Sequence, residues 1–443
     1  MIKHSRFVLA VALTGTLALS ACGGGGGGGT AAPDGPVELT FWHSASGAAA
    51  GVIDKAVADF NTAHAGKSKV TAIYQGTYDD AITKLANAVQ AKNIPDLMQV
   101  NDVNTPYMID TKLTVSAKDL NDAASTKVNV DNFMPVVSRY YTIDGSMRSV
   151  PFQVSQPALF LNPGLVKAAG LNPATPPTTI AEMTTWAKQI KEKSNKAGFV
   201  FHINPWWFEE LTASAGLDYC TPDNGVGAEP ATKFVLTDPA QVAQWKGIQE
   251  LYQSKAAVNV GGDGNAAQTS FANGDAAMLL GSSSVWGNVT KNAKFTPVVA
   301  PLPLDSPEGG AVPGGNSVWV FGTDAKGAKE QAAWEVAAYL AGDTVQADSF
   351  TTSGYLPNTK SAAEKVAGSA DANQKVLLTQ LADAKTSNAA AGCHSGALQS
   401  VRTELSKAME SALVGGTDVA TALKGIEDQS SGLIEAYNKR AGK

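Results

Sequence analysis

The chain has 443 residues, about three times a typical domain, and 44% of them are hydrophobic against 17% charged, which excludes both a single small scaffold and a disordered chain. Lysine and arginine total 34 against 40 aspartate and glutamate, a formal charge of -6. That excludes a chain-wide electrostatic footprint for nucleic acid, so any anionic ligand must be met in a local basic pocket.

Residues 1–22 differ from everything after them. Lys3 and Arg6 precede an apolar run of 13 residues (7–19), which ends in Leu19-Ser20-Ala21-Cys22. A positive start, a short apolar stretch and small residues make a secretory signal, and the run is too short to span a bilayer as a mature helix. Leu-Ser-Ala-Cys resembles a bacterial lipobox, which implies a signal peptide at 1–21, acylation of Cys22 and lipid anchoring to the outer face of the cell membrane. Seven glycines at 23–29 and a Pro- and Gly-rich stretch to Pro36 cost too much backbone entropy to order, so residues 22–36 read as a tether. Cys220 and Cys393 then stand in an oxidising compartment, either paired or as two buried thiols, since sequence does not supply their separation.

Alternation at Val37, Leu39 and Phe41 predicts a strand, and Ile53, Ala56, Val57 and Phe60 at helical spacing predict a helix stopped by Gly66. A strand at 70–74, a helix burying Ile82, Leu85 and Val89, and a strand at 96–100 follow, which is α/β wiring around a parallel sheet. Asp144-Gly145 signals a hairpin within 141–151, and an apolar strand at 158–161 marks the passage to a second lobe. There Thr179 and Glu182 form a capping box ahead of Ile180, Met183, Trp186 and Ile190. Asp238-Pro239 opens a helix carrying Val242, Trp245, Ile248 and Tyr252. A Pro- and Gly-rich loop at 301–315 precedes a strand at 318–321 that returns to the first lobe, with Trp334, Ala337, Tyr339 and Leu340 on a helix behind it. The last clear element is a helix with Val401, Leu405, Ala408 and Ala412 on one face.

Most catalytic motifs fail on spacing. A phosphate loop ending at Gly66-Lys67-Ser68 needs glycine five positions before Gly66, where Asn61 stands. No Gly-x-Ser-x-Gly elbow, His-Glu-x-x-His or paired Cys-x-x-Cys occurs, and the five histidines are scattered, so no metal and no cofactor are expected. Glu209 and Glu210 are adjacent, do not face one site on a helix, and read as a solvated face. What stands out are aromatic, hydroxyl and glycine clusters in loops: residues 74–78, Trp206-Trp207, 281–284, 314–317 and 354–357. Rings that cover a ligand and small residues that expose backbone N–H groups suit a polar small-molecule site.

Phe41-Trp42-His43-Ser44, the 74–78 block, Leu97-Met98-Gln99-Val100, Pro151-Phe152, Gly274-Asp275-Ala276-Ala277-Met278, the 315–319 block and Gly354-Tyr355-Leu356-Pro357 fall in a known order. The chain resembles the extracellular solute-binding proteins (family 1) of bacterial ABC importers, most of all the branch that binds sn-glycerol 3-phosphate and glycerophosphodiesters. The resemblance covers the chain from about Val37 onward. It implies a two-lobed periplasmic-binding-protein-like fold (type II, α/β), hinge strands between the lobes and ligand in the interlobe cleft. Lobe 1 would comprise residues 37–154 with 313–370, and lobe 2 residues 155–312 with 371–443.

Position by position, the resemblance implies that Tyr78, Asp102, Ser155, Trp207, Ser282, Gly315, Tyr355 and Arg402 bind the ligand. Arg402 would be the phosphate cation, Asp102 the acceptor for glycerol hydroxyls, Trp207 an aromatic platform and Gly315 a backbone donor. An arginine fork suits phosphate geometry, and a ring face suits a carbon skeleton or a choline headgroup. The sequence departs from the pattern at Asn204, where a second tryptophan is expected and Trp206 would substitute, and at Gln153, Val154 and Gln156.

The expected function is a lipid-anchored, monomeric, non-enzymatic carrier. It would capture glycerol 3-phosphate or a diester such as glycerophosphocholine and pass it to an ABC permease. The alternatives are an oligosaccharide-binding protein of a sugar importer and an exported glycosidase, which would need two carboxylates about 5 to 9 Å apart across a cleft.

Overall fold

A computed structural model describes residues 35–443. The expected signal peptide, Cys22 and the seven glycines lie outside the described residues. Among the described residues no helix is long and apolar enough to cross a membrane.

Two sheets organise the chain. The first runs in the order Ser68–Tyr74, Val37–His43, Leu97–Asn101, Gly314–Phe321, Thr114–Val115, with Val150–Ser155 also paired to Gly314–Phe321. Its first three strands are parallel, as alternating strand and helix segments require, and the strand returning late in the chain is antiparallel to Leu97–Asn101, with Asn316 opposite Asn101. The second sheet runs Ala257–Val258, Ala197–Val200, Ala276–Ser282, Pro157–Leu161, Val298–Pro301. The crossover is abrupt: Ser155 ends a strand of the first sheet, and Pro157 begins one of the second.

Each sheet has its own core. Phe41, Ile53, Phe60, Val318 and Trp334 pack on the first, and Leu161, Met183, Ile190, Phe201, Trp207 and Val401 on the second. A further cluster joins Val137, Val154 and Leu356 to Phe160, Leu279 and Leu377, so apolar packing is continuous through the crossover.

Several helix signals hold in detail. Asp238 caps Pro239–Gln253 with Pro239 at its first position, and Asp144 and Gly145 both take positive φ (52° and 68°) in the hairpin turn. Thr179 accepts from Glu182 N, whereas the Glu182 carboxylate reaches one residue further back, to Thr178 N at 2.7 Å.

Three expectations are corrected. The sheets are mixed, because the returning strands enter from the opposite direction. The helix Tyr78–Ala91 buries Ala81, Leu85 and Ala88, while Val89 is exposed: small residues face the sheet because backbone and sheet approach closely. A 23-residue helix, Val419–Ala441, follows the segment read as last, and Val419, Leu423, Ile426, Leu433, Ile434 and Tyr437 recur on its core face at helical spacing, a pattern the sequence reading passed over.

Candidate functional site: a cleft between two sheets

The topology places the site. In the first sheet the carboxyl ends of the parallel strands, at His43, Tyr74 and Asn101, point the same way as the start of the antiparallel strand at Gly314 and the end of Val150–Ser155. Ligands of open α/β sheets lie outside such strand ends.

The turn after Tyr74 is built to hold Tyr78. Gly76 has φ of 91°, and a Cβ there would lie 2.6 Å from Asp80 Oδ2, so only glycine fits. Thr77 and Asp80 cap each other reciprocally, with Thr77 N donating to Asp80 Oδ2 at 2.9 Å. Tyr78 therefore opens the helix with its ring over the cleft, and its Oη accepts from Asn316 Nδ2 at 3.0 Å. Behind it runs a buried amide chain, in which Gln99 Nε2 donates to Gln153 Oε1 at 3.0 Å and Asn316 Oδ1 accepts from Gln153 N at 3.3 Å. Tyr355 follows the left-handed Gly354, which ends a helix, and its phenol lies beside the hydroxyls of Tyr78 and Ser284.

Asp102 follows the strand Leu97–Asn101 at the start of a short turn, and is only 7% exposed. Burial pushes its carboxyl up to about 6, against the pull of Arg402 and of the N–H groups of Asp102, Val103 and Gly315. The Gly315 donor thus serves Asp102. Gly315 has φ of 109°, and a Cβ there would lie 2.0 Å from Gln153 O. Ser155 is buried, and its register partner is Gly314.

The opposite wall comes from Trp206–Ser214 and Leu398–Leu413. Arg402 Nη1 donates to Glu209 Oε1 at 2.8 Å, and Nη2 to Asn204 Oδ1 at 3.3 Å. Asn204 Oδ1 also accepts from Trp206 N at 2.9 Å. Burial pushes Glu209 up to about 7 despite Arg402. Between the walls opens a cavity of about 520 Å3, lined by Tyr78, Asn101, Val103, Asn204 and Arg402 among others, with Gln399 donating to Asp79 across its mouth at 3.1 Å.

Tyr78, Asp102, Gly315, Tyr355 and Arg402 thus converge from five separate stretches of chain. Three other expectations shift. Trp207 is wholly buried in the second core against Phe201 and His202, so it offers no platform, and Trp206 is the ring that borders Ser155 and Gly314. Ser282 caps the following turn through Ser284 N, and it is Ser284 that reaches Tyr355. Glu209 and Glu210 are buried, not a solvated face: one pairs with Arg402 and the other accepts from Val312 N at 3.0 Å. Nothing in the local pattern signalled those two partners, or the amide chain that runs through Gln99, Gln153 and Asn316.

Cys220 and Cys393 are joined, with Cα atoms 5.5 Å apart, away from the cavity lining. Among the described residues no group of three or more His, Cys, Asp or Glu could hold a metal ion.

The family model for bacterial extracellular solute-binding proteins matches residues 55–380. The chain belongs to that family. This solute-binding protein is 28% identical over 415 residues to the sn-glycerol-3-phosphate-binding periplasmic protein UgpB of Pectobacterium atrosepticum, covering 91% of this chain and 92% of the relative. Its fold is shared with UgpB from Mycobacterium tuberculosis, solved in complex with glycerophosphocholine, at a TM-score of 0.74 and 20% identity over 91% of this chain and 99% of that one. The acarbose-binding GacH receptor of Streptomyces glaucescens superposes at 0.76 with 22% identity, over 91% and 99%. The solute-binding protein is accordingly a non-enzymatic component of an ABC importer that takes up a small polar solute outside the cell membrane.

Proposed function

We propose that this solute-binding protein captures a phosphorylated glycerol compound, either glycerol 3-phosphate or a glycerophosphodiester such as glycerophosphocholine, and delivers it to an ABC permease. The observation that carries the reading is Arg402, a 14% exposed guanidinium that lines the cleft cavity together with Tyr78 and lies near the Asp102 carboxylate. A phosphate takes the guanidinium fork, Asp102 accepts from glycerol hydroxyls, and Trp206 covers the carbon skeleton or a cationic headgroup. The sequence likeness to the glycerol-phosphate-binding relatives supports the same choice.

In this reading the moving units are residues 37–154 with 313–370 and residues 155–312 with 371–443, and capture is closure of the two around the solute. The protein works as a monomer, tethered by an acyl chain on Cys22.

A neutral oligosaccharide is the second reading. It is favoured by the pairing of Arg402 with Glu209, which leaves carboxylates in excess of cations around the cavity. Mass spectrometry of the small molecule that copurifies separates the two. A glycerol phosphate or its diester supports the first, and a sugar without phosphorus replaces it with the second.

A further inference from the structure

Arg402, Glu209 and Glu210 share one buried wall of the cleft, and a third carboxylate, Asp102, faces them from the other. Glu209 holds one nitrogen of the Arg402 guanidinium at 2.8 Å, Asp102 faces the same group, and Glu210 lies one residue on, fully buried. The guanidinium can offer its fork to a planar or tetrahedral anion, but Glu209 already takes one terminal nitrogen and Asn204 Oδ1 the other, at 3.3 Å. An incoming phosphate that reaches Arg402 must displace that carboxylate or set its own charge beside it, and both become more costly as the phosphate charge grows.

Resting on the phosphate reading above, we propose that Glu209 limits the charge of the anion Arg402 accepts. It favours a phosphodiester, with one negative charge, over a phosphomonoester, with about two at neutral pH, and it takes up a proton when the anion binds. Glu209 is in this sense a positioning residue for charge. It competes for the guanidinium rather than contacting the solute.

The surroundings make Glu209 the group that changes charge near neutrality. Burial holds it at about 7. Asp102 stands lower, at about 6, and burial pushes Glu210 well above the usual carboxylate range. The Tyr140 and Tyr219 phenols that face the pair are raised by burial and stay neutral, and His394 against Tyr140 is lowered to about 4 and uncharged. Asp79 faces Arg402 from the cleft mouth and adds to the local negative charge. An anion placed beside Glu209 raises its pKa further, so the proton enters on binding, and affinity is highest below about pH 7 and falls above it.

Calorimetry on the whole protein with glycerol 3-phosphate and with glycerophosphocholine tests this, in wild type and Glu209→Gln. The charge of the diester does not change between about pH 6 and about pH 8, so its titration isolates the protein. Wild type should bind the diester more tightly than the monoester at about pH 8, and lose about tenfold in diester affinity across that range. In Glu209→Gln the diester-to-monoester ratio should shrink by about tenfold and the pH slope should flatten. Wild-type titrations in buffers of different ionisation heat give a second readout that does not depend on the variant folding, and proton uptake is expected there. An unchanged ratio and slope in the variant, or no proton uptake by wild type, overturns the inference and leaves the phosphate reading intact. Failure of both phosphates to bind wild type at any pH removes that reading, and the inference with it.

Discussion

Arg402 and Glu209 stand 193 positions apart in the chain and meet at 2.8 Å, with side chains only 14% and 5% exposed. Two helices of one half of the molecule thereby present a single guanidinium to a cleft whose other wall carries Tyr78, Asp102 and Gly315. A buried pair of this kind adds little net stability, but leaving one member alone is costly. In the phosphate reading proposed above, its value lies in holding a cation where an anion can reach it.

The pair sets an acid-side stability profile. Burial raises Glu209 to about 7 and Asp102 to about 6, so each binds its proton more tightly folded than unfolded. The stabilisation is complete below the unfolded value of about 4 and is lost as pH rises through the folded pKa. Buried His202 and His394, lowered to about 4, gain stability over the same window, so the contribution of the two carboxylates is read as a difference between variants. Relative to Glu209→Gln with Asp102→Asn, the unliganded wild type should lose about 1–3 kcal/mol of stability in thermal melts between about pH 4 and about pH 7, and a difference that is constant or of opposite sign contradicts the assignment.

Trp206 and Trp207 should separate cleanly. Trp207→Ala empties a core position packed on Phe201 and should lower stability by about 3–5 kcal/mol. Trp206→Ala removes a half-buried ring beside Ser155 and Gly314, and should mainly weaken ligand binding and abolish the ligand-induced change in tryptophan fluorescence. Melting curves and fluorescence titrations on the two variants read both effects, and the reverse pattern would return the platform to Trp207.

Tyr78→Phe deletes the acceptor for Asn316 Nδ2, leaving that amide its longer 3.4 Å contact with Gln153 Oε1. A cost of about 1 kcal/mol in stability is expected, with a larger loss in affinity because the hydroxyl borders the cavity. Denaturant unfolding and calorimetry measure the two, and equal affinity in the variant would place the phenol outside the binding surface.

Gly315→Ala drives a methyl to 2.0 Å from Gln153 O at a φ of 109°. The strand must shift where it meets both Asp102 and the crossover, so a loss of more than about 2 kcal/mol is expected together with loss of binding. A variant with wild-type melting temperature would show that the return strand tolerates the displacement.

Much of this was legible in the sequence, wherever the signal was local. The Thr179 cap, the Asp144-Gly145 hairpin and the Asp238-Pro239 start depend on neighbours within four positions, and all formed, with the Glu182 carboxylate displaced by one residue to Thr178 N. The convergence of Tyr78, Asp102, Tyr355 and Arg402 came from the family resemblance, since no spacing links residues so far apart. Glu209 and Glu210 were misjudged because adjacent carboxylates on a helix are normally solvated, and only the partners Arg402 and Val312, 193 and 102 positions away, bury them. Trp207 was misplaced for a related reason: in Trp206-Trp207 one ring must face the core and one the cleft, and the helix phase that decides is set by packing against Phe201 and Trp206's neighbour Gly314.

The most direct test is a pair of calorimetric titrations at constant pH, wild type and Arg402→Ala, each with glycerol 3-phosphate, glycerophosphocholine and maltose. Saturable binding of a phosphate compound by wild type is expected, with a loss of at least about a hundredfold in the variant and no response to maltose. Undiminished phosphate binding by Arg402→Ala, or tight binding of maltose by wild type, would contradict it.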